Sequence, residues 1–575
     1  MGSPSVGQFS LGSLQSSLSS AVEGWRSQSG SARLWRRDKS LFSNADEDRW
    51  LGWLDIVDRQ LAEVSHLKKM ADDARTSQVR DFVVLGMGGS SLCPEVLART
   101  FGQAAGFPRL SVLDSTVPAQ VATLAKRLDP KTTLFSVASK SGSTIEPNSF
   151  KQFFFDQVRK TPGIDPTGSR FVAVTDPGTK MQAIAEGDKF RHIFYGLPDI
   201  GGRFSALSNF GMIPAAASGI DAVGLLEKAR EMVRACGPEV AVEQNPGVML
   251  GLVLSTAAAA GCDKLTITAS PGISSLGAWL EQLIAESTGK HGKGIVPVDG
   301  ERLAAPAAYG DDRLFVYVRL ATGADASQDA AIDALRKAGK PVITIDMPST
   351  LHLGGEFFRW EIATAVAGSM MKINPFDQPD VESAKIVARS LMEAYEKTGS
   401  LPSETPIAEQ NGIRLFTDDA NAAALKSAAG AGASEAAALL KSHLGRVTTG
   451  DYFAVNAYID MTEAHDAELQ QIRHAVRDSK RVATTVGYGP RFLHSTGQLH
   501  KGGPNNGVFL QITADDAADL RVPGQSYTFG VLKNAQAGGD FAVLAERKRR
   551  IVRVHLGADV AAGLKTLRGW IAAAL

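Results

Sequence analysis

Residues 81–92 read, in one run, as strand, glycine turn and helix start: Asp81, then Phe82-Val83-Val84-Leu85-Gly86-Met87-Gly88-Gly89-Ser90-Ser91-Leu92. A second unit of the same kind follows, with Leu134-Phe135-Ser136-Val137-Ala138 running into the polar turn Ser139-Lys140-Ser141-Gly142-Ser143-Thr144. This repetition constrains the fold more than any other feature. A strand that feeds a helix must be carried back before the next strand begins, which gives parallel pairing with helices on the sheet faces. Further strand patterns at 110–113, 171–175 and 192–195 alternate with helix patterns at 93–102, 118–128 and 145–159.

A second alternation comes later. Leu265-Thr266-Ile267-Thr268, Leu314-Phe315-Val316-Tyr317-Val318 and Val342-Ile343-Thr344-Ile345 are strand candidates, with helices near 274–288, 327–338 and 356–371. The pattern predicts two α/β domains, 78–215 and 216–395, behind an N-terminal region of arm and helices at 1–77. Within that region the Gly/Ser-rich start to about residue 32 reads as a loose arm, and 45–77 as helical on the spacing of Trp50, Trp53, Leu54 and Val57. The remaining segment, 396–575, reads as a C-terminal α/β extension: a third unit, or strands added to the second domain. It holds an Ala/Gly-rich helical hairpin from Asn421 to Ser442 broken at Gly430-Ala431-Gly432, and a helix near 461–477. Its strand candidates are 482–486, 507–513, 527–532 and 550–555.

Composition narrows the function classes. The 575 residues carry no net charge, so any anion site is local and no nucleic-acid footprint is visible. Cys93, Cys236 and Cys262 have neither metal-type spacing nor an even framework, which suits a reducing, cytoplasmic setting and buried thiols. The start Met1-Gly2-Ser3-Pro4 lacks a signal pattern, and the apolar run Val248–Ala260 is too short to span a bilayer. Between Asn245-Pro246 and Gly261 it reads as a core helix.

Five segments carry candidate chemistry. The Gly86–Ser91 turn permits close approach of an anion to a helix N-terminus, but it lacks the third glycine of a dinucleotide fingerprint. The Ser139–Thr144 turn offers four hydroxyls, a lysine and a following helix start, a phosphate cradle. Arg203, in Gly201-Gly202-Arg203-Phe204-Ser205, can meet an oxyanion. Glu286 ends a helix beside Leu280, Leu283 and Ile284, surroundings expected to raise its pKa toward that of a working base. Gln378 and Lys385 lie two turns apart on the helix after Asn374-Pro375 and share a face. The plain alternatives are a structural glycine turn, a Ser-rich loop, a surface arginine, a solvated glutamate and a surface lysine.

In this order, the segments resemble the phosphoglucose isomerase family. Gly354-Gly355-Glu356-Phe357-Phe358 and Thr496-Gly497-Gln498-Leu499-His500-Lys501-Gly502-Gly503-Pro504 are similar to the isomerase half of bifunctional transaldolase/phosphoglucose isomerases. The resemblance covers about residues 45–395. It implies two doubly wound parallel-sheet domains of the sugar-isomerase (SIS) type, and interconversion of glucose 6-phosphate and fructose 6-phosphate. A dual phosphoglucose/phosphomannose isomerase and a non-catalytic SIS-type sensor are the alternatives. It implies a phosphate site of Ser139, Lys140, Ser141, Thr144 and Ser90, with Gly89 and Gln378 near the substrate. Arg203 faces the enediolate, Glu286 shuttles the proton, and Lys385 works with a histidine in ring opening. No metal, no cofactor and no membrane partner are implied; a homodimer is. No transaldolase barrel fits in the chain, which reads as a stand-alone relative or an excised half of such a fusion. There are departures. Asp380 stands where the motif has glycine, Pro379 precedes it, and Pro198 and Asn209 are atypical. No histidine occurs between 292 and 351, where the family's ring-opening histidine falls. His500 is the expected replacement, with His291 and His494 as rivals.

Overall fold

The computed structural model of the protein describes residues 4–430 and 435–575. Three sheets carry the described residues. The N-terminal strand β1 (Gln8–Ser10) is set aside for the second of them. The first sheet holds β2 (Asp81–Gly86), β3 (Arg109–Leu113), β4 (Thr133–Ala138), β5 (Phe171–Thr175) and β6 (His192–Tyr195) in the spatial order β3-β2-β4-β5-β6. All four pairings are parallel. The strand order reverses between β2 and β4, and a doubly wound sheet leaves a crevice at that point, outside the carboxyl ends of its strands. The two candidate turns follow β2 and β4, so the topology sets them side by side at the crevice.

The second sheet holds β7 (Lys264–Ala269), β8 (Val296–Val298), β9 (Arg313–Leu320) and β10 (Val342–Met347) in the order β1-β10-β9-β7-β8. Its edge corrects the expectation of a loose N-terminal arm. Gln8 pairs with Thr344 in antiparallel register, and the helix Gln15–Ser27 buries Leu18, Val22 and Trp25. The arm is apolar at helical spacing, which its Gly/Ser content obscured. The stretch 45–77 is also less regular than expected. Short 3₁₀ turns Glu47–Trp50 and Gly52–Leu54 precede the helices Ile56–Ala62 and Ser65–Thr76. Gly52 lies so close to Asp199 that a Cβ would meet its carboxylate at 2.3 Å. The apolar run forms the buried helix Pro246–Ala259, and no described helix is long and apolar enough to cross a membrane.

Residues 396–575 form a sheet of their own. It comprises β11 (Ala408–Gln410), β12 (Ile413–Phe416), β13 (Tyr452–Tyr458), β14 (Ala483–Tyr488), β15 (Gly507–Thr513) and β16 (Arg550–His555), ordered β11-β12-β16-β15-β13-β14. Helices Asp419–Ala429 and Ala436–Gly445 make the expected hairpin; Ala431 and Gly432 of its break lie outside the described residues. The expected strand at 527–532 is a helix start. Thr528 caps Phe529–Glu546 by accepting from the Val531 amide at 3.2 Å, and Asp519 takes the Gly530 amide at 2.8 Å. The β-like composition of Tyr527–Leu532 yields to this capping. That helix packs on the first sheet's helix Ile145–Arg159. Phe529, fully buried, stacks on Phe150 at 6.0 Å and meets Phe153 edge-on at 5.7 Å. A Phe so buried contributes roughly 1.5–3 kcal/mol.

Candidate active site at the switch point

A cavity of about 510 Å³ opens at the crevice. Gly88, Gly89, Ser90, Ser139, Lys140, Ser141 and Thr144 line it, together with Arg203, Glu286, Gln378, Lys385 and His494. Every expected site residue except His500 therefore meets in one space. Gly89 is there for a steric reason: a Cβ would sit 1.9 Å from the Gly202 carbonyl oxygen, so only glycine lets the first turn seat against the arginine turn. Gly142 sits at φ +67°, the left-handed conformation that turns the polar loop into its helix.

The hydroxyls of the second turn differ in their state. The buried Ser139 Oγ has no hydrogen-bond partner among the described residues. Thr144 occupies the N-cap position of Ile145–Arg159 but makes no side-chain cap bond. Ser141 and Ser143 share a hydrogen bond of 2.9 Å. Lys140 is held beside Asp176 by an ion pair and donates to the Leu197 carbonyl at 3.1 Å. Burial raises the Asp176 carboxyl pKa despite this neighbour.

Arg203 is buried and fixed on every side. Its Nε donates to Ser287 Oγ at 2.8 Å, Nη1 to Gln378 Oε1 at 3.0 Å, and Nη2 to the carbonyls of Pro375 and Asp377 at 2.7 and 2.8 Å. Nη1 also lies 3.6 Å from Glu286 Oε1. Glu286 sits in the last turn of the helix Leu276–Thr288, and its other oxygen accepts from Gln282 Nε2 at 3.1 Å. The expected apolar surroundings are thus corrected: Leu280, Leu283 and Ile284 face the core, while the carboxylate faces a guanidinium and an amide. The neighbouring Lys290 is fully buried and donates to the Asn374 carbonyl and to Asp377, which pins the loop below Gln378. Burial, then the charge of Arg203, brings the Lys290 pKa down to about 8.

Lys385 is half-exposed on the helix Pro379–Thr398, 3.7 Å from Glu382. The departure at Asp380 has a structural counterpart. Its amide donates to Gln498 Oε1 at 2.9 Å, and its carboxylate accepts from Gln498 Nε2 at 2.8 Å and from Arg547 at 2.7 Å. Gln498 also donates to the Gly289 carbonyl at 3.0 Å. The C-terminal Thr496–Pro504 phrase therefore ties the Gln378 helix to the end of the Glu286 helix.

The structure does not bring His500 to the cavity. It is buried among Tyr452, Phe492 and Phe509, with Nδ1 bonded to the Tyr452 hydroxyl at 3.0 Å. Burial, with Lys501 and Arg549 nearby, holds its pKa well below the usual imidazole value. The histidine that reaches the cavity is His494, on the loop after β14. Its Nε2 lies 2.9 Å from Glu146 Oε1, and the same oxygen accepts from Gln536 Nε2 at 2.7 Å. Burial works against the Glu146 carboxylate, but His494 outweighs it, aided by Lys385, and the pKa falls below the usual value. The sequence offered Glu146 only as part of a helix start; no local signal points to its partners. Next to His494, Arg491 forms ion pairs with Glu95 and, at 2.9 Å, with Asp114. His291 is exposed in a turn.

Residues 61–310 match the phosphoglucose isomerase family. The chain is 29% identical over 370 residues to the glucose-6-phosphate isomerase of Rubrobacter xylanophilus, covering 56% of this chain and 85% of that one. It is 28% identical over 400 residues to the enzyme of that name from Thermus thermophilus, covering 61% and 92%. A crystal structure of a hypothetical protein from Thermus thermophilus superposes with a TM-score of 0.57 at 25% identity, over 67% of this chain and 99% of that one. A glucose-6-phosphate isomerase from Chlamydia trachomatis shares the fold at a TM-score of 0.52 and 21% identity, over 64% and 78%. The matching sequence pattern lies across both cavity turns and Glu286, so over the residues that build this part of the cavity the chain is similar to the phosphoglucose isomerase family.

Proposed function

We propose that the chain interconverts glucose 6-phosphate and fructose 6-phosphate through a cis-enediolate. One observation carries this reading: a single cavity collects the hydroxyl turns, Arg203, Glu286, Gln378, Lys385 and His494. The phosphate binds to Ser90, Ser139, Ser141 and Thr144, and its binding energy orients the far end of the sugar. Lys140, held by Asp176, adds positive charge at that turn. His494, oriented by Glu146, and Lys385 open the ring. The anomeric O–H loses its proton, the bond from the anomeric carbon to the ring oxygen breaks, and the ring oxygen is protonated. Glu286 then takes the proton from C2 of the aldose and returns it to C1. Arg203 faces the oxyanion of the enediolate, where a fixed, buried guanidinium needs no reorganisation.

The test is turnover of fructose 6-phosphate in a coupled assay, with mannose 6-phosphate in parallel. Glu286→Gln is expected to lower kcat by about 10³-fold or more while sugar phosphate still binds. Near-normal turnover of this variant would remove Glu286 from the role. Activity on mannose 6-phosphate alone would overturn the substrate assignment.

A further inference from the structure

Gln536 stands on the buried face of the helix Phe529–Glu546, between Leu532 and Gly539, where an apolar side chain would pack without any polar group to satisfy. It is 5% exposed, and both ends of its amide are engaged. Nε2 donates to Glu146 Oε1 at 2.7 Å. Oε1 accepts from the fully buried Thr116 hydroxyl at 2.8 Å. Thr116 lies beyond β3 and Glu146 beyond β4, so the amide bridges two strand ends of the first sheet from the C-terminal segment. The arrangement has a direction. With the Thr116 hydroxyl donating to Oε1, the amide NH₂ faces Glu146, and that oxygen must act as an acceptor. The same oxygen faces His494 Nε2 at 2.9 Å, so the neutral imidazole paired with this acceptor carries its hydrogen on Nε2 and leaves Nδ1 as its basic nitrogen.

We propose that Gln536 is a positioning residue for ring opening: through Glu146 it fixes the orientation and tautomer of His494. The inference rests on the reading of His494 as the ring-opening acid/base. In that step the anomeric O–H proton leaves, the bond from the anomeric carbon to the ring oxygen breaks, and the ring oxygen gains a proton. Gln536 touches none of these atoms. Its contribution is to keep one carboxylate oxygen turned toward one ring nitrogen, in a site where a misoriented imidazole would present the wrong tautomer.

The experiment uses the full chain and two substrates. Fructose 6-phosphate must open its ring before it reacts. 5-Deoxyfructose 6-phosphate lacks the hydroxyl that closes the furanose ring, so it is acyclic and needs only the proton shuttle. Gln536→Leu is expected to lower kcat on fructose 6-phosphate by about 10²-fold, the lower range for a positioned acid/base group, with KM within about twofold. Turnover of the acyclic substrate is expected to stay within about twofold, and the pH profile to shift for the cyclic substrate only. Thr116→Val, which loses the bond that orients the amide, is the second variant, with the same substrate split at roughly a tenth of the size; it decides the matter if Gln536→Leu does not fold. Equal losses on both substrates, or no loss on fructose 6-phosphate, would overturn the proposal. His494→Gln separates this outcome from the underlying reading: if it fails to discriminate between the two substrates, His494 does not open the ring, whatever Gln536 does.

Discussion

The cavity has two kinds of wall. On one side, the turns after β2 and β4 are local objects: a strand ends, glycines reverse the chain, and hydroxyls project from a few consecutive residues. On the other side nothing is local. His494 meets a glutamate 348 residues earlier, Gln536 reaches the same glutamate across 390, and Gln498 reaches Asp380 across 118. The first wall needs only backbone geometry, whereas the second needs the C-terminal segment docked against the first sheet. On the proposed reading, phosphate binding falls to the local wall and the histidine of ring opening to the non-local one.

This contrast can be broken most forcefully at Arg491. Its guanidinium joins Glu95 and Asp114 of the first sheet's region to the loop that carries His494. Arg491→Ala leaves the buried Asp114 carboxylate without its cation and Glu95 with only the exposed Arg99, and is expected to cost about 3 kcal/mol. Chemical denaturation should report that loss. Sugar-phosphate affinity, measured by calorimetry, should fall much less than turnover if the walls are independent; equal losses would show them to be one unit.

Next in size is Gly89→Ala. The added Cβ cannot fit beside the Gly202 carbonyl, so the Ser90 and Arg203 turns must part. A displacement of this kind is expected to lower kcat/KM by about 10²-fold, with a smaller change in stability. Wild-type kinetics in this variant would mean that the local wall tolerates more slack than its contacts suggest.

A third test is the pH dependence of docking. Glu281, which accepts from Ser495 Oγ at 3.3 Å, has its pKa pushed up to about 8 by burial and then by Asp299, against the opposing charge of Arg473. Its folded pKa lies above the unfolded value, so its contribution is fully present below about pH 4.3 and is lost as pH rises through about 8. Melting temperature should therefore fall over that window, and Glu281→Gln should flatten the fall. An unchanged slope would place the sensitivity elsewhere.

How much of this could be read beforehand follows the same division. The elements 171–175, 192–195 and 145–159 stand where periodicity put them, because each is specified by neighbours within a few residues. The two turns, Arg203, Glu286, Gln378 and Lys385 were visible for the same reason, each set in a short motif. The strand Tyr452–Tyr458 has no such local signal, and Tyr527–Leu532 has the composition of a strand although Thr528 caps a helix there. That His494 rather than His500 lines the cavity has a deeper reason. Both sit near one glycine-rich phrase, and only tertiary packing decides that one ring is walled in by Tyr452 and Phe509 while the other meets Glu146.

The pairing of Glu146 with His494 also sets a timetable. A ribosome adding roughly 5–20 residues per second needs about 20–70 s to travel from the one to the other. For that interval the emerging chain has its two hydroxyl-bearing turns and lacks the imidazole of His494. The Glu146 carboxylate must stay hydrated until the helix Phe529–Glu546 arrives to cover it. The contacts that hold His494 to Glu146 are thus among the last that the chain acquires.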